Sequence, residues 1–130
     1  MKRVTGLGGV FFKTADPKKI KEWYGKHLGL PIDEYGASFR WIDIDNKEAK
    51  APALTAWSPF KDDTTYFQPS EKQFMFNYRV ENLDALLEVL RAEGVWIDDK
   101  REDDENGRFA WIMDPEGRRI ELWEPPANND

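Results

Sequence analysis

The chain has 130 residues, the size of one ordinary domain with its own hydrophobic core. It carries 19 Lys and Arg against 25 Asp and Glu, and the net charge of −6 disfavours nucleic acid and anionic membranes as partners. The sequence contains no cysteine, no signal-peptide apolar region and no apolar run of the roughly 18 residues that a membrane span needs. These features predict a globular cytoplasmic protein, and the 6 Trp point to a use for large flat side chains.

The first half of the chain begins with a strand that leads into a helix. Residues 9–13 form a short aromatic and β-branched run, and Asp16 with the proline after it supplies a helix N-cap and first turn. Gly29 ends this helix, and two short β-like runs follow at 39–44 and 53–57. The apolar stripe of the helix consists of Ile20, Trp23, Tyr24, His27 and Leu28.

The second half repeats this order of signals. Residues 75–80 alternate like a strand, Asn82 can cap a helix, and Gly94 ends that helix. Two further β-like runs lie at 109–113 and 119–123. The apolar stripe of this second helix consists of Leu83, Leu86, Leu87 and Leu90.

Three connecting segments lie between these elements. Residues 98–107 are the most charged stretch of the chain, and we expect a solvated hairpin loop there. The sequence Asp-Pro-Glu-Gly at 114–117 predicts a turn between the last two strands. The linker between the halves contains three aromatic residues, so we expect it to fold over the sheet or to pack on a partner, with a plain surface loop as the alternative. These residues are Phe60, Tyr66 and Phe67.

The two halves are related by a spacing of 66 residues. Residues 54–59 match residues 120–125 at this spacing, and the same step leads from Gly9 to Met75, where the second opening strand begins. This pattern predicts an internal duplication of a βαβββ unit within a single domain. The first module then covers about residues 4–59, the linker about 58–73 and the second module about 74–125.

These features resemble the vicinal oxygen chelate superfamily, also called the glyoxalase/bleomycin resistance/dioxygenase group. The resemblance extends from about Val4 to Pro125 and rests on three motifs: the Asp-Pro before the first helix, Trp-Tyr…Leu-Gly-Leu at 23–30, and the closing run at 114–122. It implies an α+β fold, in which two βαβββ modules form a curved mixed sheet shaped like a cup with one helix behind each module. It also implies a ligand or metal inside the cup and, frequently, a homodimer.

The resemblance places four metal-ligand positions on the opening and closing strands of the two modules. In this chain those positions carry Gly9, Thr55, Met75 and Glu121. Only the glutamate is a good ligand for a catalytic divalent ion, which generally needs three or more oxygen or nitrogen donors. The single histidine, His27, lies in the first helix, and we expect it to pack or cap there. We therefore predict no metal and no cofactor.

Strand alternation then predicts which side chains line the cup. If Gly9 faces inward, Phe11 and Lys13 do so too, while Val10 and Phe12 pack against the helix. The predicted inner residues of the other strands are Met75, Asn77, Arg79, Thr55, Trp57, Arg119, Glu121 and Trp123. Aromatic walls with a few polar groups are typical of a pocket for a flat organic ligand, although a partner subunit or the chain's own loop could fill the same face.

Glu121 is the candidate catalytic or ligand-recognising residue, with three open roles. It can accept hydrogen bonds from a cationic or hydroxylated ligand, act as a general acid/base, or pair with Arg79 or Arg119. The predicted ligand-binding residues are Gly9, Phe11, Thr55, Trp57, Met75, Asn77, Arg79 and Trp123.

The leading hypothesis is a metal-free member of the superfamily that binds a small organic molecule, cationic or aromatic, and either sequesters it or turns it over. Whether the protein is an enzyme stays open. One alternative is a divalent-metal lyase, isomerase or dioxygenase that takes ligands from elsewhere, including a second chain. Another is a protein-interaction module whose sheet face is closed by a partner.

Overall fold

The computed structural model describes residues 2–43 and 53–127. Within them a single sheet of seven strands packs with two helices. None of these helices is long and apolar enough to cross a membrane. The elements in chain order are β1 (Val4–Thr14), α1 (Pro17–Leu28), β2 (Ala37–Trp41), β3 (Ala53–Lys61), β4 (Phe74–Val80), α2 (Leu83–Ala92), β5 (Ile97–Asp104), β6 (Gly107–Met113) and β7 (Arg119–Glu124).

The strand order in the sheet is β2-β3-β1-β4-β7-β6-β5. The pairs β1/β3 and β4/β7 are parallel, and all other neighbours are antiparallel. The two modules therefore meet within one chain, along the antiparallel pair of β1 and β4. The prediction of an α+β fold with a curved mixed sheet is confirmed, although the described part of the first module has three strands rather than four.

Both helices begin and end where the sequence predicts. The Asp16 side chain accepts a hydrogen bond from the backbone N–H of Lys19, and Gly29 closes α1 with a φ of 70°. Asn82 caps α2 in the same way, and Gly94 follows it with a φ of 81°. Positive φ values of this kind favour glycine because it has no Cβ.

The two helices pack on the same face of the sheet but to different depths. Leu83, Leu86 and Leu87 of α2 are buried against Val80, Ala110 and Leu122 of the sheet and form the main core. No residue of α1 is buried; Tyr24 contacts the Trp57 ring at 4.9 Å, and Trp23 is half exposed. The predicted stripe of α1 is thus only partly covered by the sheet.

The charged stretch at 98–107 corrects one prediction. Instead of a solvated loop, β5 forms an edge strand that pairs antiparallel with β6, and only residues 105 and 106 make the turn. Charged side chains are common on edge strands, because they prevent pairing with other molecules. A high density of charged residues therefore does not exclude a strand at the edge of a sheet.

The spacing of 66 residues also needs correction. Gly9 pairs with Ala56, 47 residues further on, whereas Asn77 pairs with Glu121, 44 residues further on. A single spacing therefore cannot relate both the opening and the closing strands of the two halves. β3 also continues to Lys61, so the linker spans 62–73. The last residue of the predicted run at 39–44, Ile44, lies outside the described residues.

Candidate site on the concave face

The sheet face opposite the helices, called the concave face below, carries a row of four residues at its centre. The pairing of β3, β1, β4 and β7 places Ala56, Gly9, Asn77 and Glu121 side by side. Two of the predicted ligand positions are not in this row, because Met75 pairs with Phe11 and Thr55 lies one residue before Ala56. The row contains one carboxyl group and one carboxamide.

Glu121 is the centre of a hydrogen-bond network. Its side chain is buried, with 3% exposure. Oε1 accepts a hydrogen bond of 2.6 Å from Asn77 Nδ2. Oε2 accepts one of 3.1 Å from Trp111 Nε1 and another from the phenol of Tyr66. All three donors are neutral, and together they hold the carboxyl group in one orientation.

The arginines predicted as possible partners of Glu121 pair with other acids. Arg79 contacts Asp43 at 3.4 Å, and Arg119 contacts Asp98 at 2.7 Å. The reading of Glu121 as a partner of Arg79 or Arg119 is therefore wrong. Its roles as hydrogen-bond acceptor or as general acid/base remain.

Burial determines the protonation of this network. Burial raises the pKa of Glu121, and the hydrogen bonds from Tyr66, Asn77 and Trp111 counteract part of this effect. Burial, together with the nearby Glu121 carboxyl, also raises the pKa of the Tyr66 phenol far above its usual range. The phenol therefore stays protonated and remains a donor.

The linker covers one end of the concave face, as the sequence predicts in its first alternative. Phe67 has no exposed surface and packs in a buried cluster with Phe11, Met75 and Trp111. Tyr66 lies next to it, over Glu121. We call this region the linker-covered end. Here the chain itself occupies part of its own cup.

The other end of the concave face, called the tryptophan end, is formed by Trp41, Arg79 and Trp123. The Arg79 guanidinium lies over the Trp41 ring, 5.8 Å from its centroid. A Cβ on Gly6 would collide with the Trp41 ring, and a Cβ on Gly8 would collide with Asn77 Oδ1. The glycines of β1 thus allow large side chains to rest directly on its backbone.

The predicted ligand-binding residues have three different outcomes in the structure. Gly9, Phe11, Met75, Asn77, Arg79 and Trp123 belong to the concave face, together with Glu121. The prediction for Trp57 is wrong, because its ring packs behind the sheet against Phe12 and Tyr24. The Thr55 hydroxyl forms its hydrogen bonds within the chain: it donates to Leu7 O and accepts from Trp41 Nε1.

Sequence reasoning missed two members of the site, Tyr66 and Trp111. Trp111 is the direct cross-strand neighbour of Glu121 in the β6/β7 hairpin. The turn at 114–117 fixes this register, so counting back from the turn could have found the tryptophan. The aromatic content of the linker was the available signal for Tyr66, but its contact with Glu121 depends on tertiary packing.

The residues of this site do not fit a divalent metal ion. Within residues 2–43 and 53–127, no three His, Asp or Glu side chains come close enough together to share an ion. The row of Ala56, Gly9, Asn77 and Glu121 offers one carboxylate, whose oxygens already accept three hydrogen bonds. A catalytic divalent ion generally needs three protein ligands.

The comparisons with known proteins agree with this fold. A family model for the Glyoxalase/Bleomycin resistance protein/Dioxygenase superfamily matches residues 6–122, and the chain belongs to this superfamily. The uncharacterized protein YraH of Bacillus subtilis (strain 168) is 27% identical over 114 residues, which cover 83% of this chain and 89% of YraH.

Two solved structures show the same architecture. Methylmalonyl-CoA epimerase from Mycobacterium tuberculosis superposes with a TM-score of 0.61 and 26% identity, over 96% of this chain and 91% of that one. A catechol 2,3-dioxygenase superposes with a TM-score of 0.62 and 18% identity, over 95% of this chain and 41% of the dioxygenase. The second likeness concerns the fold alone.

Proposed function

We propose that the concave face binds a small, partly aromatic organic molecule without a divalent metal. One observation carries the proposal: a buried carboxyl group, held by three neutral donors, at the centre of a face walled by aromatic rings. Binding sites for small molecules combine apolar and aromatic walls with a few fixed polar groups in this way. The protein either sequesters this molecule or turns it over, with Glu121 as the acid/base in the second case.

The charges of the concave face favour a neutral aromatic ligand over a cation. Arg79 and Arg119 lie on either side of the Asn77–Glu121 pair along β4 and β7, so a cation would meet two positive charges. Burial also raises the pKa of Glu121 and so reduces its attraction for a cation. The net acidic charge of the whole chain acts at longer range and is screened by salt.

The main alternative is a divalent-metal isomerase, lyase or dioxygenase. The names of the similar structures, an epimerase and a dioxygenase, support this alternative. The single carboxylate of the central row speaks against it, so the metal-free function is preferred. A homodimer and a cytoplasmic location stay predictions.

The proposal is tested by screening aromatic compounds for thermal stabilisation of the protein in the presence of EDTA. We expect compounds that raise the melting temperature. Glu121→Gln should weaken their binding roughly tenfold, because glutamine has one acceptor oxygen where the carboxyl group has two and cannot hold all three donors. The control is Glu116→Gln, on the exposed turn, which should bind as the unmodified protein does.

Two results would count against the proposal. One is stabilisation by ligands only after a divalent metal is added. The other is equal binding by the Glu121→Gln and Glu116→Gln variants, which would place the bound compound away from the central row.

A further inference from the structure

Three buried polar side-chain atoms have no hydrogen-bond partner in the part of the chain that the structure describes. They are Asn77 Oδ1, Arg79 Nε and Arg119 Nε. Buried polar atoms of folded proteins almost always have partners, so each exception needs an explanation. Two of the three lie on the same strand, β4, two residues apart and beside the tryptophan end.

The orientation of the Asn77 carboxamide is fixed by its neighbours. Asn77 has 3% exposure, and its Nδ2 donates to Glu121 at 2.6 Å. Its Oδ1 is therefore turned the other way, toward Gly8, where an added Cβ would meet both Oδ1 and the Trp123 ring. A buried acceptor atom without a donor thus lies between Gly8 and the Trp123 ring, beside the tryptophan end.

The Arg79 side chain is also held in place. Its Nη1 donates to Thr5 Oγ1 at 2.9 Å and to Asp43 at 3.4 Å, so its charge already has a counter-ion. The Nε–H, a donor in the same plane, has no acceptor. Arg79 and Asn77 face the same side of β4, with Cα atoms roughly 7 Å apart. The unpaired acceptor and the unpaired donor therefore belong to side chains on one face of the sheet, two positions apart.

We infer that the ligand presents a planar amide group, of the carboxamide or lactam type, to Asn77 and Arg79. This inference rests on the proposed function and names the class of its ligand. The amide N–H donates to Asn77 Oδ1, and the amide C=O accepts from the Arg79 Nε–H. A neutral amide supplies one donor and one acceptor side by side, which matches the two free atoms in number and kind.

The surroundings of the two atoms fit the rest of such a ligand. Trp41 and Trp123 flank Arg79, the first beneath its guanidinium and the second as its neighbour across the β4/β7 pair. A flat ring joined to the amide can pack against these indoles. Anionic and cationic groups fit less well: Asp43 already neutralises Arg79, and a cation would approach Arg79 unfavourably.

The test uses four probes that share one phenyl ring: benzamide, N,N-dimethylbenzamide, benzoate and benzylamine. Nitrogen–proton correlation spectra of the isotope-labelled protein report directly on the Arg79 Nε–H, the Asn77 carboxamide and the Trp41 and Trp123 indoles. We expect benzamide to shift these signals. N,N-dimethylbenzamide keeps the carbonyl but has no N–H, so it should bind roughly tenfold more weakly.

A matched pair of variants tests the location. Arg79→Lys retains the positive charge beside Asp43 but removes the Nε–H, and we expect roughly a tenfold loss of benzamide affinity. Arg101→Lys makes the same change on the exposed edge strand β5 and should leave the affinity unchanged. Because the comparison of probes uses the unmodified protein, it remains decisive even if a variant does not fold.

The possible results separate the inference from the proposed function. Equal binding of benzamide and N,N-dimethylbenzamide, stronger binding of benzylamine or benzoate, or the absence of any shift at Arg79 would each overturn the amide inference. If other metal-free ligands still bind in a way that depends on Glu121, the proposed function stands. If binding requires an added metal, the proposed function fails as well.

Discussion

At the residue scale, the unusual feature of the protein is a buried carboxyl group whose hydrogen bonds come from neutral donors. Tyr66, Asn77 and Trp111 hold Glu121, whereas the two nearby arginines are paired with Asp43 and Asp98. Neutral hydrogen bonds stabilise an ionised carboxylate less than an ion pair does. This is why burial dominates and the pKa of Glu121 is raised.

The raised pKa of Glu121 predicts a pH dependence of stability. Below its ordinary pKa of 4.5 the residue is protonated in the folded and the unfolded chain and carries no penalty. As the pH rises, the unfolded chain ionises first, so the folded state loses relative stability up to the folded pKa, by about 1.4 kcal/mol per unit of pKa difference. The Glu121→Gln variant does not ionise at this position and so does not lose stability in this way. Above pH 4.5 its free energy of unfolding should therefore rise relative to that of the unmodified protein.

Chemical denaturation across a pH series measures this difference, with Asp98→Asn as the control. The hydrogen bond from Arg119 lowers the pKa of Asp98, so its stabilising effect is present above 3.8 and lost as the pH falls. The two variants should therefore differ from the unmodified protein with opposite slopes. A flat difference for Glu121→Gln would contradict the assignment of Glu121 as a group that resists ionisation.

Part of the site could be predicted from the sequence at this scale. Alternation along β4 and β7 correctly predicts that Met75, Asn77 and Glu121 share a face, because residues two positions apart on one strand point to the same side of the sheet. The error at Trp57 has a different origin. The predicted orientation of Trp57 depends on a constant spacing between the halves, whereas the strand pairing that sets its orientation does not follow that spacing.

At the scale of elements, the linker has the largest influence on the site. Its aromatic side chains pack on the concave face, and Phe67 has no exposed surface there. The aromatic composition of such a segment predicts that it covers apolar surface. It does not identify which surface of the protein the segment covers. Conversely, β5 could not be recognised from its composition, since its charged residues gain their strand partners only from β6.

The linker predicts a clear result for truncation of its buried aromatic residue. Phe67→Ala removes a fully buried ring between Phe11, Met75 and Trp111, and we expect a loss of about 3–5 kcal/mol in the free energy of unfolding. The matched control is Phe39→Ala on β2, where the ring is 44% exposed and the loss should be below about 1 kcal/mol. Urea denaturation measures both, and equal losses would mean that the linker does not pack on the concave face.

At the scale of the whole molecule, the two modules build one sheet but not two equivalent halves. The main core lies under α2 of the second module, whereas α1 of the first module buries no residue. The overall fold could be predicted from the order of strand, helix and turn signals, which local chemistry determines. The asymmetry could not, because it results from how each helix is covered after folding.

This asymmetry extends to the concave face, where the central row has a carboxyl group on one side and Ala56 on the other. An ion would have to be held by one carboxylate and a carboxamide, which is too few ligands for a catalytic divalent site. A small organic molecule needs only one or two fixed polar groups and apolar walls. The central claim is therefore that this superfamily member uses its concave face without a metal.

The most direct test of this claim is elemental analysis by mass spectrometry of the protein purified without a chelator, alongside its Glu121→Gln variant. We expect far less than one equivalent of zinc, nickel, manganese, iron or cobalt per chain, and no difference between the two proteins. One equivalent of any of these metals that disappears in the Glu121→Gln variant would contradict it.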